Sequence, residues 1–127
     1  MERYKARYVA RGFNLVHGID FNLTYSPVAS ITSIRLVLAI AAKYKWIIKQ
    51  IDIKTAFLNG LVEEEIYINQ PEGYIKKGNE NLVCRLIKSI YGLKQASRNW
   101  NKEISSFLIS IDFYKLQSDE CLFFNKS

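Results

Sequence analysis

Cysteine, histidine and proline are scarce in this chain of 127 residues, which holds two cysteines, one histidine and two prolines. Neither Cys84 nor Cys121 belongs to a Cys-x-x-Cys, and His17 is distant from both in sequence, so the ligand spacing of a zinc site is missing. Both cysteines have apolar neighbours, in Leu82-Val83-Cys84 and Cys121-Leu122-Phe123, and are expected to be buried free thiols in a reducing compartment. Long apolar runs are lacking too. The richest stretch, Ile31 to Ala42, is interrupted by Thr32, Ser33 and Arg35 and falls short of the roughly 20 apolar residues of a membrane span. The opening Met1-Glu2-Arg3-Tyr4-Lys5 is charged and has no apolar signal-peptide core. The expectation is an intracellular, cytoplasmic chain with no membrane partner.

What is present is the composition of one globular domain: 49% hydrophobic and 24% charged residues, enough to bury a core. Lysine and arginine outnumber acids 18 to 12, a formal charge of +6. Taken alone, that charge describes a solvated basic surface as well as it describes a polyanion-binding one.

Tyr4 to Arg11 is a basic, strand-tolerant run with Tyr8 and Val9 at its centre, and Gly12 to Pro27 has the turn chemistry of a loop. A helix is predicted next, with Ser30 or Thr32 as N-cap and Ile34, Val37, Leu38 and Ala41 on a face turned to the core. Trp46 to Ile53, Glu64 to Asn69, Leu82 to Ile87 and Cys121 to Phe124 are predicted strands, and Asn59-Gly60 a turn. A second helix begins near Gln95 and gathers Ala96, Trp100, Ile104, Phe107 and Leu108 on one face, with Arg98 and Lys102 off it. Trp100, Ile104 and Phe107 should bury against the sheet while Arg98 stays accessible. Elements in this order, without a βαβ rhythm, predict an α+β fold in which two main helices pack an antiparallel sheet.

Asp52 stands in Ile51-Asp52-Ile53, at the end of a mostly apolar predicted strand, where a carboxylate can hold a divalent metal. From spacing alone, an aspartate capping the next turn is the better reading. Three longer segments change the balance: Tyr4-Lys5-Ala6-Arg7-Tyr8-Val9-Ala10-Arg11-Gly12-Phe13, Gln50-Ile51-Asp52-Ile53-Lys54-Thr55-Ala56-Phe57-Leu58-Asn59-Gly60 and Ser89-Ile90-Tyr91-Gly92-Leu93-Lys94-Gln95-Ala96-Ser97-Arg98. Together with Gln70-Pro71-Glu72-Gly73 and Ser118-Asp119-Glu120-Cys121-Leu122-Phe123, they resemble, in order, successive blocks of copia-type retrotransposon reverse transcriptases.

The resemblance implies an incomplete fingers and palm of a right-hand polymerase, which transfers deoxynucleotides to a primer on an RNA or DNA template. Two Mg²⁺ ions serve that chemistry in the family. Asp52 would be the first catalytic and metal-binding aspartate, with the Ile53 carbonyl beside it. Phe57 would pack under the incoming sugar and exclude a 2′-hydroxyl. Lys5 and Arg7 would face the triphosphate, Tyr91 and Gly92 would line the nucleotide pocket, and Lys94 and Arg98 would touch the template. Without the resemblance, Phe57 is a core aromatic, Gly92 a turn glycine, Lys5 and Arg7 charges protecting an edge, and Arg98 a solvated helix cation.

The family's Tyr-x-Asp-Asp signature follows a segment like Cys121-Leu122-Phe123-Phe124, and it does not occur among these 127 residues. A chain with Asp52 alone is therefore expected not to polymerise by itself. Two rivals stand beside that expectation: a non-catalytic, basic nucleic-acid-binding remnant, and a relic without function.

Overall fold

A computed structural model describes Tyr4 and residues 6–125. Its elements are α1 (Ile31–Lys43), β1 (Tyr67–Asn69), β2 (Val83–Arg85), α2 (Ala96–Ser110), β3 (Phe113–Lys115) and β4 (Phe123–Asn125), with 3₁₀ turns at Gly12–Asn14 and Ala56–Asn59. The class is α+β. The strands form two small antiparallel sheets, β1 with β2 and β3 with β4, in place of a single sheet.

The first sheet pairs Ile68 with Cys84, and the Leu86 amide extends the ladder by donating to the Ile66 carbonyl at 2.8 Å. Ile66, 2% exposed, meets buried Leu93 and Ala96 to form the core, and Ala10, Phe57, Val62, Ile68 and Ile90 pack around them. Ser89 links this sheet to α2: its amide donates to the Gly60 carbonyl at 2.8 Å, and its buried hydroxyl accepts from Asn99 Nδ2 at 3.0 Å. A Cβ on Gly60 would lie 2.8 Å from the Asn99 carbonyl carbon and from the Trp100 nitrogen, so only glycine lets the turn lie this close to the helix.

Several expectations need correction. Residues 46–53 run without regular secondary structure, and so do residues 6–11, because among the described residues neither stretch has a strand beside it to complete its hydrogen bonds. The strands around Tyr67 and Val83 are shorter than predicted, and the last lies at Phe123–Asn125. Trp100 and Ile104 are half-buried, but Phe107 is 55% exposed, since the first sheet packs beside the start of α2 and not its whole length. Val37, at 41% exposure, shows that the apolar stripe of α1 is largely open; of that helix only Ala41 is buried. Cys84 and Cys121 are free thiols but half-buried, Cys84 in a sheet only two strands wide and Cys121 in the turn before β4. Burial and the carboxylates of Asp119 and Glu120 still push the Cys121 thiol up from its ordinary value. Among the described residues no helix is long and apolar enough to cross a membrane.

Candidate active-site cleft

A cleft of about 750 Å³ opens between residues 6–8, residues 52–55 and the Ile90-Tyr91 pair, and Leu58 forms part of its wall. Thr55 supplies the corner. Its φ of +53° turns the chain sharply into the 3₁₀ turn, where the Leu58 amide donates to the Thr55 carbonyl at 2.9 Å. That corner leaves Asp52 and Ile53 at the exposed lip and turns Phe57 inward, half-buried, with its ring edge-on to Tyr91 at 5.4 Å between centroids.

The opposite wall depends on two glycines. Gly92 has a φ of +93°, and a Cβ there would fall 2.0 Å from the Ala10 carbonyl oxygen; a Cβ on Gly12 would fall 2.1 Å from the Gly92 oxygen. Their bareness lets the strand-like segment before Gly12 cross the Tyr91-Gly92 loop, and the Ala10 amide donates to the Tyr91 carbonyl at 2.7 Å. The crossing brings the Arg7 guanidinium carbon to 5.7 Å from the Tyr91 ring centroid, within cation–π range. The Tyr8 hydroxyl ties the same segment to the end of β1, donating to the Asn69 carbonyl at 2.6 Å.

Arg7, Asp52, Ile53 and Tyr91 thus share one cleft, Phe57 supports it from beneath, and Gly92 shapes its wall. Lys94 and Arg98 are directed elsewhere. Lys94 Nζ lies 4.6 Å from the Phe21 ring centroid and 3.4 Å from the Leu15 carbonyl, fastening the loop before α1. Arg98, half-buried, donates from Nη1 to the Tyr25 carbonyl at 3.2 Å and lines a second depression with Lys102 and Lys115. Lys5 lies outside the described residues. The sequence reasoning missed Gly12, Tyr8 and Lys54 as parts of the site. Lys54 stands two residues after Asp52 in the same segment; the role of Gly12 emerges only when two distant segments cross.

The metal question turns on the donor set. Among the described residues Asp52 is the only carboxylate lining the cleft, and no three His, Cys, Asp or Glu side chains gather where an ion could sit. Mg²⁺ takes about six oxygens, several from water, and a two-ion site needs carboxylates to bridge it. Asp52 and the Ile53 carbonyl fit one corner of such a site, and the described residues do not complete it.

Across residues 1–127 the sequence matches the family model described as reverse transcriptase (RNA-dependent DNA polymerase). The chain belongs to this family. This reverse transcriptase sequence is 49% identical over 124 residues to the retrovirus-related Pol polyprotein from transposon TNT 1-94 of Nicotiana tabacum, a match spanning 98% of the chain and 9% of that polyprotein. It is 46% identical over 123 residues to the Pol polyprotein from transposon RE2 of Arabidopsis thaliana, covering 97% of the chain and 8% of the relative. Against the Ty1-NL2 Gag-Pol polyprotein of Saccharomyces cerevisiae it is 36% identical over 129 residues, or 96% of the chain and 7% of the relative. The chain therefore corresponds to a stretch of the reverse transcriptase domain of retrotransposon Pol polyproteins and spans less than a tenth of their length. No solved structure matches it.

Proposed function

We propose that this chain carries the nucleotide side of a polymerase site, in the fingers and palm of a right-hand RNA-directed DNA polymerase, and that the parent protein transfers deoxynucleotides to a primer on an RNA or DNA template. The observation that carries this reading is the convergence of Arg7, Tyr91 and Asp52 on one cleft with Phe57 beneath it, from segments more than 30 residues apart in sequence.

Arg7 is placed to bind triphosphate oxygens, and its stacking on Tyr91 restricts the guanidinium before the nucleotide arrives. Lys5 belongs to the same segment and the same role. Phe57, braced by Tyr91, would pack under the incoming sugar and select deoxynucleotides by excluding a 2′-hydroxyl. Gly92 keeps the wall close to the base. The Asp52 carboxylate and the Ile53 carbonyl offer oxygen ligands at the lip. Mg²⁺, when bound, supplies Lewis-acid activation of the primer hydroxyl and neutralises the leaving pyrophosphate. The remaining carboxylates come from elsewhere in Pol, so the chain by itself binds nucleotide without extending a primer. Lys94 and Arg98 form the template side, Arg98 through the depression it lines with Lys102 and Lys115.

Two assays on the purified chain test the reading. Fluorescent dTTP should bind weakly; Arg7→Ala should reduce that binding about tenfold, the scale of one lost charge-assisted contact, and Phe57→Ala should narrow the preference for dTTP over the ribonucleotide. Binding indifferent to both changes would remove the nucleotide assignment. With primed template, Mg²⁺ and deoxynucleotides, no extension is expected; extension abolished by Asp52→Asn would show that the chain is active alone.

A further inference from the structure

The C-terminus of α1 is closed by a two-bond motif: the Trp46 amide donates to the Ala41 carbonyl at 2.8 Å and the Lys45 amide to the Ala42 carbonyl at 3.3 Å. This is the Schellman arrangement, whose residue in the left-handed region is ordinarily glycine or asparagine. Here it is Lys45, with φ +55°. The turn reverses the backbone between Tyr44 and Trp46 and lays their rings together, centroids 6.0 Å apart and planes 26° from parallel. Both aromatics remain open to solvent, Tyr44 at 61% and Trp46 at 60% exposure, and Lys43 Nζ lies 5.5 Å from the Tyr44 ring centroid.

Along the chain the charge on either side of this pair has one sign. Lys43, Lys45 and Lys49 flank it in sequence, no acid occurs between Lys43 and Ile51, and among the described residues none of the three lysines forms an ion pair. An apolar protein partner covering the rings would bury or crowd these cations without compensation. A single-stranded nucleic acid meets both halves of the surface: its bases have apolar faces that extend an aromatic stack, and its phosphates take the lysines and release counterions. A duplex offers the phosphates but keeps its base faces covered.

We infer that Tyr44 and Trp46, with Lys43 beside the stack and Lys45 and Lys49 next to it along the chain, form a stacking platform for single-stranded nucleic acid, separate from the Asp52 cleft. It stands on the same extended segment as Asp52, six residues earlier, and none of its residues lines that cleft. The inference does not depend on the cleft's assignment, because the two sites take different ligands.

The test is fluorescence anisotropy of the full chain with a labelled single-stranded oligothymidylate, with the corresponding duplex in parallel, over a range of salt. Single strand should bind in preference. Trp46→Ala should weaken it roughly tenfold, within the range for one lost base stack, while Trp46→Phe keeps most of the affinity. Lys45→Gly should raise the thermal midpoint, since glycine accepts the left-handed position, and yet lower affinity and flatten the salt dependence. A purely structural role for the turn predicts the first effect without the other two. Saturating dTTP should not displace the oligonucleotide. Unchanged binding by a folded Trp46→Ala chain, duplex binding as tight as single strand, or displacement by dTTP would each overturn the platform. If Trp46→Ala fails to fold, Lys45→Gly decides: a gain in stability with no loss of affinity overturns it.

Discussion

The two α-helices among the described residues are capped and buried very differently. Around the start of α2, Ile66, Leu93 and Ala96 close a core, Ser89 and Asn99 share a buried hydrogen bond, and Gly60 lies against the helix backbone. α1 has good ends instead: the Ser30 hydroxyl accepts from the Thr32 amide at 3.2 Å, Asp119 Oδ2 accepts from the Ser30 amide at 3.2 Å, and the Schellman turn closes the far end. Most of its long apolar side chains remain exposed. The difference separates two things that amphipathic patterning usually delivers together: capping specifies that a helix forms, and tertiary neighbours decide whether its face is covered. The total accessible surface of 10852 Å² points the same way, against roughly 7000 Å² for a compact monomer of this mass.

The sharpest way to break that comparison is at the core. Ile66→Ala should cost about 2–5 kcal/mol, the usual loss for a fully buried aliphatic side chain, measured by urea unfolding. If it costs no more than a change on α1, the contrast between the regions is false. Next comes Gly92→Ala, which puts a Cβ onto the Ala10 carbonyl at a positive φ; about 1–3 kcal/mol is expected from the strained backbone. Amide exchange should show the Ala10 N–H released, and nucleotide affinity should fall with it.

At the caps the effects shrink. Ser30→Ala should lower the stability of α1 by about 1 kcal/mol, seen as faster amide exchange in its first turn and little change around Ile66. Asp119 adds a pH dependence. The Ser33 hydroxyl, the Cys121 amide and the Ser30 amide hold its carboxyl below the ordinary value, with burial a minor opposing effect. A depressed folded-state value means that the anchoring is present above the ordinary aspartate value of 3.8 and is lost as pH falls through the lower folded value. Exchange at the start of α1 should therefore accelerate in acid, and Asp119→Asn should flatten that response. Smallest of all, Val37→Ala should change stability by less than about 0.5 kcal/mol, since little packing is lost and alanine favours helix.

Much of the candidate cleft was legible because its residues come in contiguous words. Asp52, Ile53 and Phe57 come from one segment, Tyr91 and Gly92 from another, and their order along the chain resembles the family's. Lys94 and Arg98 were harder to read. A cation's position on a helix does not reveal which carbonyl or ring will capture it, and here the loop before α1 captures both. The predicted strand over Trp46 to Ile53 has the right alternation, yet a strand exists only in a pair, and no sequence pattern within one segment supplies its partner.

By itself, then, the sequence determined the family, the α+β class, the start of α1 at Ser30 or Thr32, and the residue types that meet in the cleft, because each rests on short-range patterns or on long matched blocks. Only the tertiary structure decided that Gly12 crosses Gly92, that Arg7 comes to rest over Tyr91, that Phe107 and the face of α1 stay open, and that Tyr44 stacks on Trp46. These are matters of which distant surfaces meet, and burial, ring stacking and backbone contact are properties of a meeting that neither participant encodes alone.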